Sequence, residues 1–120
     1  MDKDKPFIYI CSPLRGDIER NIQRAVGYSR FVFGMGGVPL APHAIFTAFL
    51  DDNIPAEREA GLELGLQLMR RCDELWVFGS RVSAGMAMEI ENARRRLMPI
   101  KNFNDRCEEE PLCLKPLISP

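Results

Sequence analysis

Apolar residues along the chain alternate between short unbroken runs and longer stretches with helical spacing. The first run, FIYIC at 7–11, has the length and make-up of a buried strand. Ile18, Ile22, Ala25, Val26 and Phe33 then mark one face of a helix. Asp17 suits its N-cap, and Gly34, with Gly36 and Gly37 beyond, suits its end. VPLA at 38–41 predicts a second strand, placed at an edge or a strand start because proline cannot donate to a ladder. A short helix over 43–50 is followed by the turn-like DDNIP. Residues 56–71 carry leucines and Met69 nearly all round, which predicts a well-covered helix despite Gly61 and Gly65. ELWVFG at 74–79 predicts the third strand, a helix opens near Gly85 and runs to Leu97, and MPIKNF at 98–103 predicts the last strand.

Strands that alternate with helices imply one α/β domain, a parallel sheet with helices on both faces. In such sheets the ligand sits beyond the carboxyl ends of the strands. The first strand leads into SPLRGD, with Ser12, Arg15 and the conformationally free Gly16, and the second into PHA, with His43. The third leads into SRVSAG and on to Glu89, so three polar clusters share one rim.

Glu89 is the anomaly in the pattern. In SRVSAGMAMEIENARRR (80–96), Met86, Ile90, Ala93 and Leu97 form the apolar stripe of the last helix, and Glu89 falls on it. Glu91 points away, and the arginines at 94–96 reach water. A carboxylate on a core-facing stripe is costly unless something uses or satisfies it. A boundary position and a bond to a neighbouring loop are the plain readings; the shared rim favours use. Backbone N–H groups from Ser83 through Gly85 to Met86, at the positive end of the helix dipole, favour an anion such as phosphate, and Ser83 also suits a simple cap. Glu89 lies about a turn further in, where the same dipole favours the ionised form that a nucleophile or charge stabiliser requires. Arg15 offers a planar guanidinium to phosphate, or is a solvated loop charge. His43 bonds a phosphate or a base, or is a satisfied structural histidine. Tyr9 belongs to the core, or lifts its hydroxyl toward Glu89.

Composition narrows the classes. With 120 residues, 46% hydrophobic and 28% charged, one domain with a sizeable core is expected, and a net charge of −1 argues against general binding of polymeric nucleic acid or a membrane surface. The N-terminal apolar run is too short and its flank too acidic for a signal peptide, and no stretch approaches a membrane span. Cys11, Cys72, Cys107 and Cys113 form no CxxC pair and the single histidine has no HxxxH partner, so no metal site is expected, and the thiols read as reduced in a cytoplasmic protein. GMGG at 34–37 precedes a strand instead of following one, and is not a dinucleotide fingerprint. The domain is expected to occupy 1–103. Residues 104–120, with prolines and an acidic triplet, read as a tail whose Leu112, Leu114, Leu117 and Ile118 either meet a partner subunit or stay disordered.

IYICSPLRG, PHA and CDELWVFGSRVSAGMAMEIENA together resemble the nucleoside 2-deoxyribosyltransferase superfamily over roughly residues 7–103. Within it they are most similar to the 2'-deoxynucleoside 5'-monophosphate N-glycosidases and to small phage and bacterial domains bearing CDELWVFG and SAGM…E. The resemblance implies a flavodoxin-like or Rossmann-like sheet, a homodimer or larger assembly, and a small nucleoside or nucleotide substrate handled without cofactor or metal. It implies that Glu89, six residues after Ser83 in S-x-G-x-x-x-E, attacks the anomeric carbon and releases the base. Tyr9 would orient the glutamate, while Arg15, His43 and Ser83 would surround the 5'-phosphate, with Ser12, Gly16, Gly85 and Met86 beside them.

One position departs from the pattern. Such glycosidases carry a helper aspartate eight residues before the position of Asp73; here that residue is Gly65. Glu63 and Glu59 are near in sequence, but two residues turn a side chain by about 200° around a helix. Three readings follow: cleavage with Glu63 in a relocated role or on a different substrate, a binding module that holds a nucleotide or nucleotide-derived signal intact, or an accessory protein whose polar rim is accidental.

Overall fold

A computed structural model describes residues 4–111. Its elements are β1 (Phe7–Cys11), α1 (Ile18–Gly34), β2 (Val38–Leu40), α2 (Pro42–Ile45) continuing into a 3₁₀ turn (Phe46–Ala48), α3 (Pro55–Met69), β3 (Glu74–Phe78), α4 (Ala84–Arg95) and β4 (Ile100–Phe103). All strand pairs are parallel in the order β2-β1-β3-β4, so every strand delivers its following loop to the same rim. Pro39 sits in an edge strand, where one side of the backbone has no ladder to feed. The expected α/β fold with a parallel sheet is the one observed.

Alternation along the strands divides the core in two. Ile8 and Ile10 of β1, with Trp76 and Phe78 of β3 and Phe103 of β4, pack against Ala25, Tyr28 and Val32 of α1. Tyr9, Cys11, Leu75 and Val77 face the other way, toward Met69 of α3 and Met86, Ile90 and Ala93 of α4. On the α1 face Phe78 is stacked between Tyr28 and Phe103, with ring centroids 4.5 and 5.1 Å away. Truncating so enclosed a ring costs about 3–5 kcal/mol, a large part of a domain's stability.

Helix ends explain where the sequence pattern misleads. α1 closes with Gly36 at φ 92°, Gly36 N–H donating to Phe33 and Gly37 N–H to Val32. This is a Schellman ending with glycine in its left-handed position. α4 closes in the same way, Leu97 N–H to Arg94 and Met98 N–H to Ala93, but with Leu97 at φ 57°. The helix therefore stops at Arg95 and Leu97, placed on the apolar stripe by its spacing, is 90% exposed. α3 is also less covered than its leucines predict. Only Gly65 and Met69 are buried, because the helix meets the sheet along one narrow line and leaves Leu62 outside.

Beyond β4 the chain turns through Asn104 and runs back beside the strand. Glu109 bridges Phe103, Glu110 N–H donates to the Asn102 carbonyl and the Asn102 amide donates to the Glu110 carbonyl, both at 2.9 Å. Cys113, Leu112, Leu114, Leu117 and Ile118 lie outside the described residues. Among the described residues no helix is long and apolar enough to cross a membrane.

Candidate active site at the carboxyl rim

Tyr9 and Cys11 are two residues apart on β1, so both side chains leave the same face of the sheet. Glu89 projects from α4 onto that face. The Tyr9 hydroxyl donates to Glu89 Oε2, and the Cys11 thiol donates to Oε1 at 3.3 Å. Both carboxylate oxygens are thus held by side chains from one strand. Tyr9 is fully buried, and burial together with the neighbouring Glu89 charge raises its pKa well above the phenol value, so it remains a proton donor. Burial pushes Glu89 from the ordinary 4.5 up to about 7, against the lowering effect of the Tyr9 and Cys11 hydrogen bonds. The α4 dipole favours the ionised form, but Glu89 lies beyond the first turn, where the dipole fades, and desolvation works against it.

A cleft of about 420 Å³ opens above Glu89, and Ser12, Arg15, His43, Ser83, Gly85 and Met86 line it. These residues come from three separate loops and meet because the strands are parallel. Gly16 is not in the lining; its φ of 98° lets the loop turn after Arg15. Asn21 of α1 fastens that loop, its side-chain amide donating to the carbonyls of Leu14 at 3.0 Å and Arg15 at 3.1 Å. Ser83 caps α4 by accepting from Met86 N–H at 3.2 Å. The N–H groups of Ala84 and Gly85, in the first turn, have no helical acceptor and border the cleft.

His43 is anchored to the first loop. Its Nε2 donates to the Ser12 carbonyl at 2.7 Å, and burial lowers its pKa, so the neutral ring presents Nδ1 as an acceptor. An acceptor nitrogen is poorly suited to phosphate, although His43 still walls the cleft. The Ser12 hydroxyl is buried and has no hydrogen-bond partner among the described residues.

Gly65 is buried directly against the Tyr9–Glu89 pair: a Cβ there would lie 3.1 Å from the Tyr9 hydroxyl. A smaller cavity of about 60 Å³ runs beside Tyr9, Glu89 and Gly65 toward Asp52 and Arg58. Glu63 and Glu59 are exposed and line neither cavity, so a relocated helper role for Glu63 finds no geometric support. Sequence reasoning missed Cys11, Asn21 and Asp52. The i, i+2 relation to Tyr9 was a usable signal for Cys11; the other two depend on tertiary placement.

Comparison with known proteins agrees with this architecture. The family described as Domain of unknown function (DUF7768) matches residues 6–103, and the chain belongs to it. No curated protein matches. Among solved structures, a 2-deoxyribosyltransferase from the psychrotolerant bacterium Bacillus psychrosaccharolyticus, described as a suitable biocatalyst for the synthesis of nucleosides, has the same fold. It aligns with a TM-score of 0.64 at 14% identity, over 89% of this chain and 78% of that one.

Proposed function

We propose that this member of the DUF7768 family breaks or exchanges the N-glycosidic bond of a nucleoside or nucleoside 5'-monophosphate, with Glu89 as nucleophile. The observation that carries the reading is a carboxylate gripped by Tyr9 and Cys11 at the floor of a cleft whose wall is a helix N-terminus. A 5'-phosphate would rest on the Ala84 and Gly85 N–H groups and on Arg15, which places the sugar above Glu89. The ionised Glu89 oxygen forms a bond to the anomeric carbon as the carbon–nitrogen bond breaks. The electron pair leaves with the base, which takes up a proton. Water, or a second base in an exchange reaction, then attacks the same carbon and frees Glu89.

Tyr9 holds one oxygen and thereby aims the other. Protonation near neutrality means that only part of the protein carries the nucleophile at pH 7. Ser12 and Met86 shape the phosphate end of the cleft, and His43 anchors the loop that carries Arg15. We also propose a homodimer or larger assembly, supported by exposed Leu62 and Met88, both of which border the cleft. A monomer by light scattering would refute that assembly.

The decisive experiment incubates the protein with nucleosides and their 5'-monophosphates and looks for free base by chromatography, with Glu89→Gln as the inactive comparison. Free base from wild type and none from the variant supports the reading. A nucleotide bound tightly and recovered intact refutes cleavage and identifies a binding module.

A further inference from the structure

We propose that Asp52 is the second carboxylate of this site and that it accepts a hydrogen bond from a hydroxyl of the ligand's sugar. The inference rests on the nucleotide-binding reading above and adds a residue and a chemical contact to it. Asp52 belongs to the turn between the 3₁₀ segment and α3. Asp51 and Glu57 tie that turn: Asn53 N–H donates to Asp51 Oδ1 at 2.9 Å and Asp51 N–H to Glu57 Oε1 at 2.7 Å. Asp52 is left facing inward. It lines both the 420 Å³ cleft and the 60 Å³ cavity beside Tyr9 and Glu89, and its charge is felt by His43.

Asp52 Oδ2 is buried and has no hydrogen-bond partner among the described residues. Arg58 borders the same two cavities but forms no salt bridge with it. A buried carboxylate oxygen without a donor is costly, and such an atom in a folded protein calls for a partner. The volume admits one. A water-sized group needs only about 10–15 Å³ of such space. A cavity of about 60 Å³ therefore has room for about four to six water-sized groups, ample for a sugar hydroxyl reaching toward Asp52. The ligand of the proposed function carries its hydroxyls on the sugar, which lies over Glu89. Gly65 keeps this space open, and Asp52, arriving from the turn, places an acceptor in it.

The test measures binding by calorimetry for the ribose, 2'-deoxyribose and 2',3'-dideoxyribose forms of one 5'-monophosphate. Every chain carries Glu89→Gln so that the ligand stays intact, and Asp52 is compared with Asp52→Ala. With Asp52 present, at least one hydroxylated form should bind about tenfold or more tightly than the dideoxy form, as a hydrogen bond to a charged acceptor warrants. With Asp52→Ala the forms should agree within about twofold, the dideoxy affinity being unchanged. Asp52→Leu, which roughly keeps the side-chain volume and removes both acceptor oxygens, gives the same comparison if Asp52→Ala melts early. A ratio near one with Asp52 present, or an unchanged ratio without it, overturns the role of Asp52 alone. Absence of binding for every 5'-monophosphate with Asp52 present, repeated in a separate titration of the chain that keeps Glu89, overturns the nucleotide reading itself.

Discussion

Replacing Glu89 by glutamine should leave the fold intact and make it more stable at alkaline pH, because the native carboxylate is held where its charge is disfavoured. Burial moves its pKa from 4.5 to about 7. An acid whose folded pKa exceeds its unfolded value binds its proton more tightly in the folded state. Stability is therefore full below about 4.5, declines as pH rises through about 7, and levels off above. The difference of pKa corresponds to an upper figure of about 3 kcal/mol lost by wild type between those limits. Glutamine keeps the size and accepts from the Tyr9 hydroxyl, and it never ionises. Near pH 4.5 the two proteins should be close in stability, while near pH 8.5 glutamine should be ahead by about 1–3 kcal/mol. Urea denaturation of both proteins at the two pH values measures this, and taking the difference cancels every other titrating group. Cleavage by Glu89→Gln should fall by orders of magnitude at both. A glutamine variant that is less stable at pH 8.5 and shows no dependence on pH would refute the reasoning, since the ionised carboxylate would then be a structural asset. Glu91→Gln is the control: Glu91 is exposed and among the described residues pairs with Arg95 at 3.5 Å, so a change within about 0.5 kcal/mol is expected.

Cleavage by wild type should rise with pH through about 7 as Glu89 ionises, and a flat rate from pH 5 to 9 would rule out its titration in the rate-determining state. Gly65→Ala gains about 1 kcal/mol of helix propensity, yet its Cβ would crowd the Tyr9 hydroxyl at 3.1 Å, so melting should change little while cleavage drops. Leu97→Gly relieves a left-handed leucine that is 90% exposed, and should stabilise the domain by about 1 kcal/mol in denaturant titration. Arg15→Gln should weaken 5'-monophosphate binding about tenfold in calorimetry and leave nucleoside binding unchanged, as loss of a charged phosphate contact implies.

The fold was largely legible because strand runs and helix periods report burial directly. FIYIC and ELWVFG became β1 and β3 almost residue for residue, and Asp17 does cap α1. Errors arose where the sequence reports composition and the chain responds to geometry. The leucines of α3 predict cover on all sides, but a single helix meets a sheet along one line and the remainder stays partly exposed. The apolar period of α4 includes Leu97, but the helix had already closed by its backbone hydrogen bonds.

The site shows the same division more sharply. Parallel strands were enough to gather Ser12, Arg15, His43, Ser83 and Glu89 at one rim, because that gathering follows from topology. The raised pKa of Glu89 follows from competition between two effects of different range. A helix dipole is worth about 0.3–1 kcal/mol to a charge and fades after the first turn. The net rise of the Glu89 pKa, after the Tyr9 and Cys11 hydrogen bonds have lowered it, corresponds to about 3 kcal/mol, so desolvation outweighs the dipole. Position in a helix can be counted from the sequence; depth depends on what the rest of the chain places around it. Cys11 is a case in point. As a thiol in a strand it resembles any small apolar residue, and only its distance of 3.3 Å from Glu89 turns it into a second donor. The same reasoning separates Asp52 from Glu63. Sequence distance to Gly65 favours Glu63, but the helix turns it outward to solvent, and the turn before α3 brings Asp52 to the cavity.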